Sequence, residues 1–321
     1  MKHSQFFVAL AIFTACASAS AQNYPNKPIR IIVPLAAGGT GDVLGRLAAD
    51  TLAAAFNQQV VVDNRPGANG IIGTDLVAKA TPDGYTLASA STGNVVINPA
   101  LFGSKLPFNA ERDLVPITQI ATGTSVVITH PSFGPKTIPE LIALAKAKPG
   151  AINYASSGIG SAVHLGTALF ETMAGIRMTH VVYKGSTPGR VAVLASEADL
   201  MFDGLLPTLP LIKAGKLKAL GVTSIKRSSV MPDVPAISET LLGYSADTWY
   251  GLFAPRGTPQ DVIVKVHAAM AKALASADTR AKLLAQGAEP IGNSPQEVAA
   301  FLRGDIERWK KVVKEAGIGE H

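Results

Sequence analysis

Short runs of aliphatic and β-branched residues alternate along the chain with longer stretches in which apolar residues recur at helical spacing. Residues 29–33 have the composition of a buried strand, and residues 42–56 have the period of an amphipathic helix. Strand-like runs at 60–62 and within 83–91 continue the alternation, with a helical stretch at 73–80 between them. Strands that alternate with helices at this spacing are typical of βαβ units, so the pattern predicts an α/β fold with mainly parallel sheets.

The same alternation restarts in the middle of the chain, which predicts a second lobe. Its strand-like runs are separated by helical stretches and lie at 152–157, 179–185, 198–203 and 217–224. The predicted lobe 2 covers 126–246, and lobe 1 is discontinuous, with 22–125 joined by 247–321, whose helical stretches complete it. The chain then crosses between the lobes near 121–124 and 245–247, and two crossings permit hinge closure around a ligand.

The N-terminal residues predict export. Lys2 precedes an apolar run at 6–13 that is too short to span a bilayer, and small residues lead to an A-x-A site that ends at Ala21. We expect cleavage of this signal peptide, residues 1–21, and a periplasmic mature protein; an N-terminal membrane anchor is the alternative. Cys16 is the single cysteine and lies inside the leader, so we expect neither disulfides nor thiolate chemistry in the mature chain.

Composition and motifs narrow the possible functions. The formal net charge is +6, and the Lys and Arg residues are scattered rather than interleaved with aromatic residues, so we expect no nucleic-acid partner. The mild positive charge favours the approach of an anion. The sequence lacks the phosphate loop, the dinucleotide fingerprint and the H-E-x-x-H zinc motif, and 185–189 has Thr187 where a nucleophile elbow needs serine. We expect no cofactor and no metal, while a catalytic arrangement assembled only in three dimensions remains open.

Glycine- and serine-rich turns follow several predicted strands and open the next helices. They are the turns at 36–42, 91–94, 156–164 and 183–189. In open α/β sheets, ligands bind beyond the carboxyl ends of strands. The first N–H groups of a helix lack internal partners and carry partial positive charge, so facing helix starts can hold a carboxylate without a dedicated arginine. Ordinary helix capping explains any single turn, but turns of this kind in both lobes favour a shared site.

Four charged or titratable residues near these turns have open roles. Asp42 would repel an anionic ligand, so we expect it to shape the glycine turn or favour its helix start, with binding of an ammonium group or ordered waters as the alternative. Asp203 lies at the end of a predicted strand. We expect it either to bind an amine or hydroxyl of the ligand or to cap a helix. We expect His164 either to cap or pack against its helix or to contact the ligand. Lys184 is expected either to neutralise an anionic ligand or to be exposed to solvent.

The chain resembles a known family in stretches that occur in the same order. They include YPNKPIRIIVPLAAGGTGD, VVVDNRPGANGIIGTDLVAKATPDGYTL, INYASSGIGSAVHL, VVYKG, ADLMFD and GLFAPRGTP. Together they resemble the Bug receptors, the periplasmic solute-binding components of tripartite tricarboxylate transporters, over essentially the whole mature chain. The resemblance implies a two-lobed α/β binding protein of the type II Venus-flytrap class, with carboxylate ligands and without catalysis.

The resemblance also implies the residues that bind the ligand. In lobe 1 they are Gly38, Gly39, Asp42, Ser91 and Thr92. In lobe 2 they are Ser156, Ser157, Gly160, Ser161, His164, Lys184, Gly185 and Asp203. Leu35 departs from the aromatic residue that many relatives carry after the strand-ending proline, which leaves the shape of the apolar rim and the size of the ligand open.

The function implied by the resemblance is capture and delivery. We expect a monomeric receptor that closes on a dicarboxylate, an acidic amino acid or an aromatic carboxylate and passes it to membrane transporter subunits. The rival class is an exported hydrolase acting on a carboxylate or ester, with a nucleophile or base made from Ser161, His164 and Asp203. A sensory subunit would share the pocket and differ in the partner that docks outside.

Overall fold

Two β-sheets with helices packed on both faces make up the protein in a computed structural model whose described residues are 24–315. Each sheet has a hydrophobic core on both of its faces, and neighbouring residues of one strand lie in different cores. Ile31 and Ile32 show this in lobe 1, and Val127 and Ile128 show it in lobe 2. Successive strand side chains point to opposite faces, so strands that are apolar throughout need cover on both sides. The predicted two-lobed α/β fold is confirmed.

Lobe 1 takes its elements from both ends of the described chain. Its strands are β1 (Ile29–Val33), β2 (Val60–Asn64), β3 (Thr86–Ser91), β4 (Leu114–Gly123), β10 (Thr248–Pro255) and β11 (Ala288–Pro290). They pair in the order β11-β4-β10-β3-β1-β2. The helices are α1 (Thr40–Phe56), α2 (Ile71–Ala78), α3 (Asn98–Phe102), α4 (Ala110–Asp113), α9 (Gln260–Ala275), α10 (Ala277–Leu284) and α11 (Pro295–Glu315).

Lobe 2 is built from the middle of the chain. Its strands are β5 (Ser125–Thr129), β6 (Asn153–Ser156), β7 (Thr179–Val182), β8 (Leu200–Gly204) and β9 (Lys218–Val222). They pair in the order β7-β6-β8-β5-β9. The helices are α5 (Ile138–Ala147), α6 (Ala162–Ala174), α7 (Ser186–Leu194) and α8 (Leu205–Lys213).

Each sheet is mixed, which differs from the expectation of mainly parallel sheets. β1 pairs in parallel with β2 and β3, and β6 pairs in parallel with β7 and β8. The other pairings are antiparallel, including β10 with β4 and β5 with β8. The reason is the double crossing: the chain leaves lobe 1 along β4 and returns along β10, so Gly123 at the end of one strand faces Thr248 at the start of the other.

The crossings support the predicted division of the chain. Only Thr124 separates β4 in one sheet from β5 in the other, and β10 begins at Thr248. We therefore propose the lobe limits expected from the sequence, with 22–125 and 247–321 in lobe 1 and 126–246 in lobe 2.

The predicted signal peptide lies outside the described residues. Within 24–315, no helix combines the length and the apolar character that a membrane crossing requires.

Candidate functional site

A cavity of about 840 Å³ lies between the two lobes. It is lined by segments that follow the carboxyl ends of β1, β2 and β3 in lobe 1 and of β6, β7 and β8 in lobe 2. Of the residues expected to bind the ligand, those in the lining are Gly39, Ser91, Ser157, Ser161, Lys184, Gly185 and Asp203. The others lie outside this lining: Gly38, Asp42, Thr92, Ser156, Gly160 and His164.

Helix α1 begins at the cavity without a side-chain cap. Thr40 and Gly41 are its first residues and line the cavity, and Gly39 precedes them in an extended conformation. The first N–H groups of a helix have no intrahelical acceptor, and the helix dipole adds partial positive charge there. The start of α1 therefore offers hydrogen-bond donors to an anion in the cavity.

Asp42 and Gly38 form the support of this turn rather than its surface. The Asp42 carboxylate accepts hydrogen bonds from Gly38 N–H at 2.9 Å, from Asn64 Nδ2 at 3.0 Å and from Arg46 Nε at 3.1 Å. Burial acts to raise the pKa of Asp42, but these bonds and the Arg46 charge outweigh burial and hold the pKa below its ordinary value. With 4% of its surface exposed, Asp42 shapes the loop that presents α1.

The turn after β3 divides its residues between the cavity and the sheet. Ser91 lines the cavity, and its N–H and hydroxyl both donate to Asn94 Oδ1, at 2.9 and 3.0 Å. Thr92 instead ties β3 to β10: its hydroxyl accepts from Trp249 N–H at 3.0 Å and donates to the Trp249 carbonyl at 3.3 Å. Thr92 is fully buried and its side chain is occupied by the backbone of β10.

The loop after β2 contributes more of the cavity wall than the sequence analysis expected. Residues 66–71 all line the cavity, and 67–70 all have positive φ. Asn94 and Asn98 each donate a side-chain N–H to the Asn69 carbonyl at 3.1 Å, and Asn69 Nδ2 donates to Asn98 Oδ1 at 2.7 Å. The amides hold this left-handed backbone in place. The N-R-P-G-A-N-G stretch carried the family resemblance, and that was the one sequence signal for this wall.

In lobe 2, the loop between β6 and α6 presents some predicted residues and buries others behind them. Ser157 and Ser161 line the cavity together with Gly158 and Ile159. Ser156 lies behind the loop, where its hydroxyl accepts from Gly158 N–H at 3.2 Å and lies 2.5 Å from His180 Nε2. The buried hydroxyl of Ser156 therefore fixes the turn.

His164 is likewise a supporting residue. Its Nδ1 accepts a hydrogen bond from Gly160 N–H at 3.0 Å, and its ring stacks on His180 with a centroid distance of 4.2 Å. Burial, with a contribution from His180, lowers the pKa of His164 to about 4. His164 is therefore neutral at neutral pH, which keeps Nδ1 free to accept and holds Gly160 away from the cavity surface.

The serine, histidine and acid of the rival hydrolase are not assembled as a triad. Ser161 caps α6, since its hydroxyl accepts from the backbone N–H of His164 at 3.2 Å. The His164 ring acceptor is taken by Gly160. The Asp203 carboxylate accepts from Arg190 Nε at 2.6 Å and from Gly204 N–H at 2.8 Å.

Asp203 is the acidic side chain of the described cavity lining, and Lys184 is the basic one. Burial raises the pKa of Asp203, and the Arg190 guanidinium opposes that rise. Because Arg190 balances the charge of Asp203, the lining carries one unbalanced positive charge, on Lys184.

Gly185 follows as the N-cap of α7 and supplies no side-chain cap, so another helix start is open to the cavity. Among residues 24–315, no cluster of His, Cys, Asp and Glu suits a metal ion.

The lobes touch directly beside these helix starts. Thr187 Oγ1 donates to the Ala37 carbonyl across the cleft. A Cβ on Gly185 would lie 2.5 Å from Ala36 Cβ, and a Cβ on Gly204 would lie 2.1 Å from Thr40 Oγ1. Glycine is needed at both positions for the lobes to approach this closely.

Comparison with known proteins identifies relatives over most of the chain. Residues 44–318 match the model of the tripartite tricarboxylate transporter family receptor, TctC. The chain is 36% identical to the protein BugT of Bordetella pertussis, with 99% of each chain covered.

Two solved structures have the same fold. R. palustris Rpa4515 with adipate is 35% identical, with a TM-score of 0.90 and coverage of 92% of this chain and 99% of that one. MatC from Rhodopseudomonas palustris with bound malate is 31% identical, with a TM-score of 0.85 and coverage of 90% and 100%. The resemblance to the Bug receptors is thus confirmed, and the chain belongs to the receptor family of the tripartite tricarboxylate transporters.

Proposed function

We propose that the protein is a periplasmic receptor that holds a small carboxylate between its lobes and delivers it unchanged to membrane transporter subunits. The observation that carries this proposal is that uncapped helix starts from both lobes open onto one cavity, among them α1 in lobe 1 and α7 in lobe 2. Helix starts supply N–H donors and partial positive charge, which suit a carboxylate.

The charges around the cavity support an anionic ligand. Lys184 is the unbalanced charge of the lining, since Arg190 balances Asp203. Asp42, which would repel an anion, directs its carboxylate to Gly38, Asn64 and Arg46. A carboxylate between the two helix starts therefore meets donors and one cation.

The same geometry supports binding without catalysis. Ser161, His164 and Asp203 make separate hydrogen bonds to Gly160, Arg190 and their own turns. None of these bonds passes a proton from Ser161 to His164, as the serine mechanism of the rival hydrolase requires. A ligand would therefore enter and leave chemically unchanged.

Export, delivery and a monomeric state complete the proposal. The leader directs the chain out of the cytoplasm, and the related structures with adipate and malate support a carboxylate as the solute. One chain contains both walls of the cavity, so a single copy is sufficient to enclose the ligand.

Calorimetry and mass spectrometry test the proposal on protein purified after export. We expect titration with adipate, benzoate or malate to give saturable binding and a raised melting temperature, because a ligand that binds the folded state stabilises it by mass action. Mass spectrometry of the recovered ligand should show the mass that was added. Absence of binding by every carboxylate, or recovery of a changed product, would contradict the proposal.

A further inference from the structure

His180 lies outside the described cavity lining but contacts residues that support it. It is a half-buried residue of β7, and its Nε2 lies 2.5 Å from the hydroxyl oxygen of Ser156, the last residue of β6. Its ring stacks on Tyr154, with ring centroids 4.8 Å apart, and on His164, with centroids 4.2 Å apart. Because His164 lies in the first turn of α6, His180 contacts a residue on each side of the loop 157–161.

This loop is the part of lobe 2 that reaches the cavity between β6 and α6. The residues of the loop that line the cavity are Ser157, Gly158, Ile159 and Ser161. Gly158 N–H donates to Ser156 Oγ at 3.2 Å, and Gly160 N–H donates to His164 Nδ1 at 3.0 Å. Both glycines have positive φ, a conformation that the surroundings must hold in place. Both acceptors that hold it are side chains in contact with His180.

The bond from Gly160 to His164 requires a neutral ring. Nδ1 of a neutral imidazole can accept a hydrogen bond, whereas the imidazolium form has an N–H on each nitrogen. A proton on Nδ1 of His164 would therefore place two donors face to face and release Gly160. Burial, together with His180, lowers the pKa of His164 to about 4, which keeps the acceptor available at neutral pH.

The titratable groups around His180 come from the two elements packed against it. They are Tyr154 of β6 and His164 of α6. Glu171 of α6 acts on Tyr154, and Arg177 acts on Glu171, whereas burial accounts for the lowered pKa of His180. A positive charge on His180 would therefore be felt by His164, the ring stacked directly on it.

We propose that His180 is a positioning residue of the ligand site, which acts through Ser156 and His164 to hold residues 157–161 in the conformation that binds the ligand. This inference rests on the proposed function and adds to it a residue that does not line the cavity. Nε2 of His180 fixes the side chain of Ser156, and the face of its ring orients His164 toward Gly160. Loss of the ring would release the loop on both sides.

Calorimetry with adipate tests the positioning role. His180→Ala loses both contacts and should weaken binding at least about tenfold. His180→Gln keeps an amide that can bond Ser156, and His180→Phe keeps a ring that can stack on His164. Each should therefore bind adipate more tightly than His180→Ala, and both keep the test valid if His180→Ala does not fold.

The control is another histidine of lobe 2. His130 is bonded to Ser132 and lies outside the cavity lining, so His130→Gln should bind adipate like the original chain. If the original chain binds adipate and the His180 variants bind it equally well, the inference is wrong while the receptor proposal stands. If the original chain binds none of adipate, benzoate and malate, the receptor proposal fails and the inference fails with it.

A nuclear magnetic resonance titration of the histidine rings gives a second test that needs no ligand. His180→Phe keeps the burial of His164 but removes the neighbouring ring that becomes positive in acid. The pKa of His164 should therefore rise above its original value of about 4, whereas His130→Gln should leave it unchanged. A pKa of His164 that is the same in His180→Phe as in the original chain would overturn the inference, because His180 would then have no contact through which to orient the ring.

Discussion

Thr187 Oγ1 in lobe 2 donates a hydrogen bond of 2.7 Å to the carbonyl oxygen of Ala37 in lobe 1. The two residues are 150 positions apart, and the bond joins the lobes beside the starts of α1 and α7. It requires the lobes to be closed and needs no ligand atom. Part of the free energy of closure therefore comes from the protein itself.

Removal of this bond should weaken ligand binding without any change to the cavity lining. We expect Thr187→Val to lower carboxylate affinity about fivefold, since a neutral hydrogen bond contributes about 1 kcal/mol. Calorimetry measures the affinity. In the control Thr172→Val, the lost hydroxyl bonds Ala168 within one helix of lobe 2, so affinity should not change. A Thr187→Val affinity equal to that of the control would contradict the role of the bond.

A wedge at Gly204 should hold the lobes apart. The backbone there, with φ −58°, accepts alanine, but the new Cβ would lie 2.1 Å from Thr40 Oγ1. We expect Gly204→Ala to fold normally and to lose at least about tenfold in affinity, because closure then requires Thr40 to move. Small-angle scattering with ligand should show a more open particle.

The double variant Gly204→Ala with Thr40→Ala distinguishes a wedge from a general defect. Truncation of Thr40 removes the clashing oxygen and leaves its Cβ at 3.4 Å from the new methyl group. Affinity should recover in part. If the double variant binds as weakly as Gly204→Ala, then the clash is not the cause.

Asp42 should stabilise the fold only where it is ionised. Its folded pKa lies below its ordinary value, so its contribution is present above about pH 4 and is lost as the pH falls through the lower folded value. We expect Asp42→Asn to reduce the free energy of unfolding by about 1–3 kcal/mol at pH 7. Urea denaturation at pH 7 and in acid measures this, and the gap to the original chain should narrow in acid. Asp50→Asn, an exposed change on the same helix, should have little effect at either pH.

Asp247 should have the opposite pH dependence. It lies at the return crossing, bonded to Thr223 at 3.1 Å and to Thr124, and burial raises its pKa to about 6, with Thr223, Arg308 and Thr124 opposing the rise. The protonated form is therefore favoured in the folded state, and stability that is present below pH 4 is lost as the pH rises through about 6. The loss is about 3 kcal/mol at most.

Replacement by asparagine tests this account of Asp247. We expect Asp247→Asn to remove the decline between pH 4 and pH 6 and to be more stable than the original chain at pH 7. Thermal unfolding across this range is the measurement, and the exposed Asp233→Asn is the control. If Asp247→Asn is less stable than the original chain at pH 7, then the ionised carboxylate stabilises the crossing and this account is wrong.

The alternation of strands and helices made most of the fold predictable. The predicted helix at 42–56 corresponds to α1, Thr40–Phe56, and the predicted strand at 29–33 corresponds to β1, Ile29–Val33. Strands β4 and β5 had no counterpart in the prediction. No helix separates them, and β4 pairs with β10, more than a hundred residues away, so a local pattern carries no sign of that pairing.

The turns of the site were predictable, but the direction of their side chains was not. Gly39 and Asp203 line the cavity, whereas Asp42 and His164 turn to backbone N–H groups within their own loops. Sequence spacing gives the position of a turn after a strand, and hydrogen bonds within the folded loop decide which side chains reach the cavity. Asn69 and the loop around it were missed as site residues because the local sequence does not show that residues 67–70 all take positive φ and face the cavity.

The central claim is that helix starts from both lobes hold a carboxylate, and a crystal structure of the protein with adipate tests it most directly. We predict a carboxylate group within hydrogen-bond distance of the N–H groups of Thr40 or Gly41, beside Lys184 and the start of α7. An adipate that lies outside the cleft, or that pairs both carboxylates with arginine side chains, would contradict the claim.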